Sequence, residues 1–153
     1  MSVRFVLAIA KIHDLDTNVI DFVLDFHQAK LDVDVYMEIP AGMVLQNGHR
    51  GLSILKLNKS LYGLKQASAN WYKMISKGLT DMGFKSSEVD PCVFISDKAF
   101  VLVYVDDYIV ISRESGFIDN FVYSLKHGSK NFEFTKEGSL ENYLGVKFVD
   151  YDK

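Results

Sequence analysis

The chain has 153 residues and a formal net charge of −3, with 48% hydrophobic and 13% aromatic residues. The length fits one domain with a hydrophobic core, and the composition argues against disorder. The net charge is slightly negative, whereas nucleic-acid-binding proteins typically have a basic surface. A single cysteine, Cys92, excludes an internal disulfide and a cysteine-rich zinc site and favours a reducing compartment, and no apolar run reaches the roughly 18 residues of a membrane span.

The first part of the chain is typical of one helix followed by extended segments. Residues 3–13 predict an amphipathic helix with inward side chains at Val6, Leu7 and Ala10. The run NVIDFVLDF, residues 18–26, is β-branched and aromatic and predicts a buried strand with Asp25 near its end. After it, the sequence predicts an extended piece, a turn and a strand at residues 35–43, 46–51 and 53–57.

The second part of the chain alternates helical and strand patterns. Apolar residues recur at helical spacing between Gln66 and Met82, and Gly83 stands where a C-terminal cap is typical. Strands are predicted at 92–96, 99–105, 108–112, near 131–135 and at 143–149, with a second amphipathic helix marked by Phe117, Phe121, Val122 and Leu125. This order predicts an α+β fold in which helices pack on one face of an antiparallel sheet.

Two adjacent aspartates interrupt the apolar run FVLVYVDDYIVIS, residues 100–112. The pattern predicts a β-hairpin with Asp106 and Asp107 at a two-residue tip, where glycine or asparagine is usual because positive φ is needed. Neighbouring carboxylates repel each other unless water screens them or a cation lies between them, and Mg²⁺ is the natural oxygen-liganded cation. A solvated turn without a metal is the alternative that the residue types leave open.

Asp25 is a second acid between apolar neighbours. If its strand ends beside the hairpin tip, Asp25 and Asp106 would hold two Mg²⁺ ions, which suits in-line phosphoryl transfer. An acid that merely faces water at the end of a strand is the alternative, and the spacing leaves both open. An unrelated two-carboxylate nuclease or phosphatase is a further hypothesis, which the lack of a third well-spaced acid or a histidine base makes weaker.

Five blocks in order carry a family resemblance. They are Tyr-Val-Asp-Asp at 104–107, KLNKSLYGLKQASANWY at 56–72, VYMEIPAG at 35–42, MGFKSSEVDPCVF at 82–94 and ENYLGVKF at 141–148. Through them the chain resembles, nearly from end to end, the reverse transcriptase of copia-type long-terminal-repeat retrotransposons. The resemblance implies a right-hand polymerase palm with partial fingers, and RNA-directed DNA synthesis by two-metal nucleotidyl transfer.

The resemblance also implies a set of metal ligands. Leu24-Asp25-Phe26 matches the family's first catalytic aspartate and its neighbours. Asp25 and Asp106 would then ligate two Mg²⁺ ions, with Mn²⁺ as a substitute, while the Phe26 carbonyl completes a site and Asp107 supports it.

Substrate contacts and partners follow from the same resemblance. Tyr62, Gly63, Lys65 and Gln66 match a loop under the incoming nucleotide and template, although the residue types alone also fit an ordinary approach to a helix. Arg4, in a family Val-Arg pair, either reaches the fingers side or faces solvent. The implied partners are an RNA or DNA template with its primer, deoxynucleoside triphosphates and the remaining polyprotein domains, without a membrane. The implied location is intracellular, in the cytoplasm or a virus-like particle.

Three departures from the family pattern stand out. Five positions after Asp25 the family has an aromatic residue that excludes the ribose 2′-hydroxyl, but this chain has Lys30 in a shortened loop. Ala69 stands where the family commonly has arginine. The N-terminal fingers strands, the thumb and ribonuclease H would lie outside residues 1–153, which predicts a single truncated domain of weak or no activity. The alternative is a non-catalytic remnant that keeps the fold and weak nucleic-acid binding.

Overall fold

Helices and strands alternate along the chain. The computed structural model describes residues 2–43, 54–128, 130–138, 142–143 and 146–147. The helices within these ranges are α1 (Ser2–Ile12), α2 (Asp25–Gln28), α3 (Ala67–Asp81) and α4 (Phe117–His127). The strands are β1 (Asp16–Phe22), β2 (Tyr36–Glu38), β3 (Ile54–Lys56), β4 (Lys85–Ser86), β5 (Val93–Ile95), β6 (Ala99–Tyr104), β7 (Asp107–Ser112), β8 (Phe134–Gly138), β9 (Asn142–Tyr143) and β10 (Val146–Lys147).

An antiparallel sheet of six strands forms the centre of the fold. Its order is β4-β5-β6-β7-β1-β8, and β2–β3 and β10–β9 form two separate antiparallel pairs. Strand β1 therefore lies between β7 and β8, although both follow it at a long distance in the sequence. The α+β class with an antiparallel sheet is confirmed.

Helices cover both faces of this sheet. On one face, Ile20 and Val110 pack in a core with Trp71 of α3 and Leu125 of α4. On the other face, Val19, Leu102, Ile109 and Ile111 pack with the predicted inward residues of α1, which are Val6, Leu7 and Ala10. The expectation that helices cover one face is therefore wrong for α1. The physical reason is that β6 and β7 are apolar on both sides, so each face needs a cover.

Helix α3 confirms the predicted helix between Gln66 and Met82. Trp71, Ile75 and Leu79 are buried along one side of it, and Gly83 has the positive φ of +90° that suits a residue just past a helix end. Among the described helices, none combines the length and apolar character that crossing a membrane requires.

The predicted strand at residues 18–26 differs from the observed chain. Strand β1 ends at Phe22, and Leu24 has a left-handed backbone with φ of 49°. Asp25 then begins the short helix α2, so it lies in a helix rather than at the end of a strand. The predicted turn at 46–51 lies outside the described residues, and only part of the predicted strand at 143–149 lies within them, in β9 and β10.

Candidate active site

The β6–β7 hairpin presents two acids at one end of the sheet. Tyr104 and Asp107 are paired across the hairpin, so the two residues of its tip are Val105 and Asp106. The expected tip of Asp106 and Asp107 is thus shifted by one residue, since Asp107 already belongs to β7. Val105 takes the positive φ, 53°, which a β-branched side chain rarely adopts.

Strand β1 brings a further acid to this hairpin. Asp21 is the register partner of Asp107, and the N–H of Phe22 donates to the carbonyl oxygen of Asp106 at 3.1 Å. Backbone pairing therefore fixes Asp21 beside the two hairpin acids. The sequence reasoning above did not single out Asp21, although an acid inside a β-branched run was the available signal.

Asp25 is buried and lies within electrostatic range of Asp106 and Asp21. Its residue is only 8% exposed, and its Oδ2 atom has no hydrogen-bond partner among the described residues. Burial is the main cause that raises the pKa of Asp25, against the lowering effect of a hydrogen bond from the backbone N–H of Phe26. The negative charges of Asp106 and, more weakly, Asp21 raise this pKa further. Asp21, Asp25 and Asp106 thus share one electrostatic environment.

A side chain of helix α3 contacts the hairpin tip. The indole N–H of Trp71 donates to the carbonyl oxygen of Val105 at 3.0 Å, and the Trp71 ring packs edge-on against Phe22 at 5.2 Å between centroids. One side chain therefore contacts both β1 and the hairpin tip. A largely apolar cavity of about 250 Å³ opens beside this contact, lined by residues that include Trp71, Tyr72, Val103, Tyr104 and Tyr108.

The predicted substrate loop leads into α3. Tyr62 is 84% exposed, yet its ring lies 5.5 Å from that of Phe26, the residue that follows Asp25 in the chain. Gly63 has a φ of +93°, a conformation that side chains other than glycine rarely adopt. Lys65 is exposed, and Gln66 precedes α3 with its carbonyl accepting the Asn70 N–H at 2.9 Å.

Two predicted substrate residues lie elsewhere. Arg4 is exposed on α1, the helix that covers the other face of the sheet from α3. Lys30 forms an isolated backbone bridge with Lys59 and lines a different cavity from the one beside Trp71. The described contacts thus place neither side chain among the acids.

The spacing of the aromatic residue bears on which acid matches the family's first aspartate. Counted from Asp25, the fifth residue onward is Lys30, whereas counted from Asp21 it is Phe26. Phe26 is buried and packs against Tyr62 near the acids. The match of Asp25 to the family's first aspartate stays a prediction. Asp21 is a competing candidate, because aligning it with that aspartate puts the aromatic Phe26 at the position where the other alignment has Lys30.

The candidate active site offers few protein ligands for a metal ion. In the part of the chain that the structure describes, no group of three or more His, Cys, Asp or Glu side chains is placed to hold a metal ion. The Oδ2 atom of Asp25 is buried, has no hydrogen-bond partner in the described part of the chain and feels the charge of Asp106, so it nevertheless suits a cation. Mg²⁺ commonly takes only one or two carboxylates, and substrate phosphates and water complete its coordination. These residues therefore fit Mg²⁺ in the presence of substrate phosphates.

A comparison with known protein families shows to which family this chain belongs. The family model described as reverse transcriptase (RNA-dependent DNA polymerase) matches residues 1–152. The chain therefore belongs to this family.

Curated relatives narrow the class to retrotransposons. The chain is 33% identical over 153 residues to the retrovirus-related Pol polyprotein from transposon TNT 1-94 of Nicotiana tabacum, a match that covers 97% of this chain and 11% of that protein. It is 31% identical over 150 residues to the Pol polyprotein from transposon RE1 of Arabidopsis thaliana, with 95% and 10% covered. The truncated transposon Ty1-A Gag-Pol polyprotein of Saccharomyces cerevisiae is 32% identical over 115 residues, with 73% and 9% covered. The copia-type resemblance is confirmed, and the chain spans about a tenth of the length of these relatives.

Proposed function

We propose that this chain is the palm, with part of the fingers, of a retrotransposon reverse transcriptase and carries its nucleotidyl-transfer site. The observation that supports the site most directly is the pairing of Asp21 with Asp107, next to the Phe22–Asp106 hydrogen bond. It brings acids of two distant segments to one end of a sheet. The proposed partners are an RNA or DNA template with its primer, deoxynucleoside triphosphates and the other domains of a Pol polyprotein.

The proposed ligands of two Mg²⁺ ions, or of Mn²⁺ as a substitute, come from β1, α2 and the hairpin. Asp106 would act with Asp25 or Asp21, while the Phe26 carbonyl completes a site and Asp107 supports it. When bound, such ions activate an attacking hydroxyl and neutralise the charge of the leaving phosphate. Burial raises the pKa of Asp25, so a cation bound at this carboxyl would offset the cost of its buried charge.

The remaining residues would position the substrate. Tyr62, Tyr104 and Val105 are exposed around the acids and present apolar surface on which a sugar or base can pack. If Asp21 is the first catalytic aspartate, Phe26 forms the wall that selects the sugar, and if Asp25 is, Lys30 takes this place. Trp71 would hold the tip at a fixed distance from β1 through its hydrogen bond to Val105.

Calorimetric titration with Mg²⁺ and Mn²⁺, at a constant concentration of a deoxynucleoside triphosphate, tests the metal site. The comparison includes the wild type, Asp21→Asn, Asp25→Asn and Asp106→Asn, with Asp97→Asn as the control. Asp97 is exposed in the β5–β6 turn, at the other end of β6 from the tip. We expect Asp106→Asn to lose binding and Asp97→Asn to retain it. The variant at the first catalytic aspartate should match Asp106→Asn, which decides between positions 21 and 25. Equal binding by all five proteins would contradict the proposal.

Primer extension tests the activity itself. Residues 1–152 would replace the matching segment of the TNT 1-94 polyprotein, so that the rest of the polymerase is present. We expect RNA-templated DNA synthesis that falls about 100-fold or more in Asp106→Asn, because charge stabilisation at the reacting phosphate is lost. A folded chimera that makes no DNA, while the unmodified relative does, would favour the non-catalytic remnant.

A further inference from the structure

A second cavity, of about 590 Å³, is lined by lysines from four separate parts of the chain. They are Lys30 after α2, Lys59 after β3, Lys73 of α3 and Lys130 before β8. Asp32 is the one acid among the lining residues that the structure describes. We call this feature the lysine cavity. A local excess of positive charge in a protein of net charge −3 is unexpected for a randomly charged surface.

The protein compensates little of this positive charge. Asp32 lies 3.9 Å from the Nζ atom of Lys73 and also accepts a hydrogen bond from the Asn70 side chain at 3.3 Å. Within the described residues, Lys30, Lys59 and Lys130 form no ion pair. Like charges that converge on one cavity repel each other, and a bound anion would reverse the sign of that energy.

The framework around the lysine cavity is held by backbone contacts. The bridge between Lys30 and Lys59 joins two segments distant in sequence, and the N–H of Ser60 donates to the carbonyl oxygen of Ala29 at 3.1 Å beside it. On another wall, the Gln28 side-chain amide donates to the carbonyl oxygen of Glu133 at 2.7 Å. The backbone at Lys30 and Lys59 is thus held in place by hydrogen bonds.

The lysine cavity is separate from the candidate active site. Trp71 faces the hairpin tip, whereas Lys73 is two residues further along α3, about 200° around the helix axis. No described residue lines both the lysine cavity and the apolar cavity beside Trp71. An anion in the lysine cavity would therefore leave the acids of the hairpin uncovered.

We propose that the lysine cavity binds phosphate groups, either of a free polyphosphate or of a nucleic-acid backbone. Lysine ammonium groups bind phosphates as point charges from several directions, which suits four side chains around one space. The polar side chain of Asn70 adds a hydrogen-bonding wall, and it is almost fully buried. This site needs no transfer chemistry, so it stands independently of the proposed function.

Binding is measured in EDTA, with tripolyphosphate and a single-stranded oligothymidylate as the two probes. The double variant Lys30→Gln/Lys59→Gln is compared with Lys77→Gln/Lys85→Gln, which removes the same charge from exposed positions outside the cavity. We expect the cavity variant to bind tripolyphosphate at least about tenfold more weakly than the control variant, because two of four local charges are lost. Asp32→Asn should act in the opposite direction and strengthen binding.

The oligonucleotide arm distinguishes the two sources of phosphate. For single strands, the dependence of log K on log salt has a slope of about −0.7 per phosphate contact. If the ligand is a nucleic-acid backbone, the magnitude of this slope should fall by about 1.4 in the cavity variant, which loses two phosphate contacts. The slope of the control variant should change little. An effect on tripolyphosphate alone would assign a free polyphosphate. Equal losses in the two double variants, or no binding of either probe by the wild type, would overturn the proposal. Because binding is measured in EDTA, the proposed metal site holds no ions, which separates this result from the test of the active site.

Discussion

The indole N–H of Trp71 donates a hydrogen bond to the carbonyl oxygen of Val105 across 3.0 Å, so a helix holds the turn that carries Asp106. Val105 needs such support, because its backbone has a φ of 53° that is costly for a β-branched residue. The tip therefore combines local strain with a contact that stabilises one conformation, an arrangement common at functional sites.

Trp71→Phe should destabilise the protein by about 2–3 kcal/mol. The substitution removes the hydrogen bond to Val105 and leaves space where the larger ring was buried. Urea unfolding measures the change. Tyr72→Phe, which loses only a hydrogen bond from an exposed hydroxyl to Pro91, is the matched control and should cost about 1 kcal/mol or less. Equal costs for the two variants would show that the Trp71–Val105 contact contributes little.

Val105→Gly should stabilise the protein by about 1 kcal/mol. Glycine adopts positive φ without the steric cost of valine, and this gain exceeds its greater loss of chain entropy on folding. Val89→Gly is the control, since Val89 is also exposed but lacks a positive φ, and it should lose about 0.5–1 kcal/mol. Thermal unfolding of both variants gives the comparison, and a loss at both positions would contradict strain at Val105.

Asp25→Asn should change the dependence of stability on pH. The pKa of Asp25 is raised above its ordinary value of 3.8, chiefly by burial, so the folded state binds this proton more tightly than the unfolded state does. Its contribution is fully present below that ordinary value and is lost as pH rises through the folded pKa. The asparagine variant should therefore gain stability relative to wild type between pH 4 and pH 7, without metal.

Unfolding temperatures of both proteins at several pH values measure this difference, because titrating groups remote from Asp25 contribute equally to each. Asp97→Asn should show no such trend relative to wild type. If the gap between wild type and Asp25→Asn is the same at pH 4 and pH 7, burial does not perturb Asp25 as described.

Gly78→Ala should destabilise the fold by about 1–3 kcal/mol, although alanine favours helices. A Cβ atom at this position in α3 would lie 2.8 Å from a ring carbon of Phe132, which is itself buried. Chemical denaturation of the single variants and of Gly78→Ala/Phe132→Leu forms a double-mutant cycle. The alanine should cost clearly less in the Phe132→Leu background, and additive effects would exclude the steric conflict.

Local periodicity was enough to predict several elements. The inward residues of α1, the buried side of α3 and the strands of the β6–β7 hairpin follow from spacing within short segments. The family resemblance likewise rests on contiguous blocks. These features could be predicted because each depends on neighbouring residues.

The rest depends on contacts that no short window contains. The pairing of β1 with β7 makes Asp21 part of the site. The left-handed backbone conformation of Leu24 ends the extended segment, so that Asp25 begins helix α2. The one-residue shift of the tip arises because Asp107 pairs with Asp21 and Tyr104 at once. Tertiary pairing thus overrode local preferences at the residues that matter most for the site.

The central position of β1 has a consequence for biosynthesis. During translation this strand leaves the ribosome long before β7 and β8, its neighbours on either side, have been made. Until then the backbone groups of β1 lack their hydrogen bonds to the neighbouring strands, and strand pairing across so many residues is slow. The nascent polypeptide therefore passes through an interval in which an apolar strand is open to wrong partners, and the acidic cluster arises only when that interval closes.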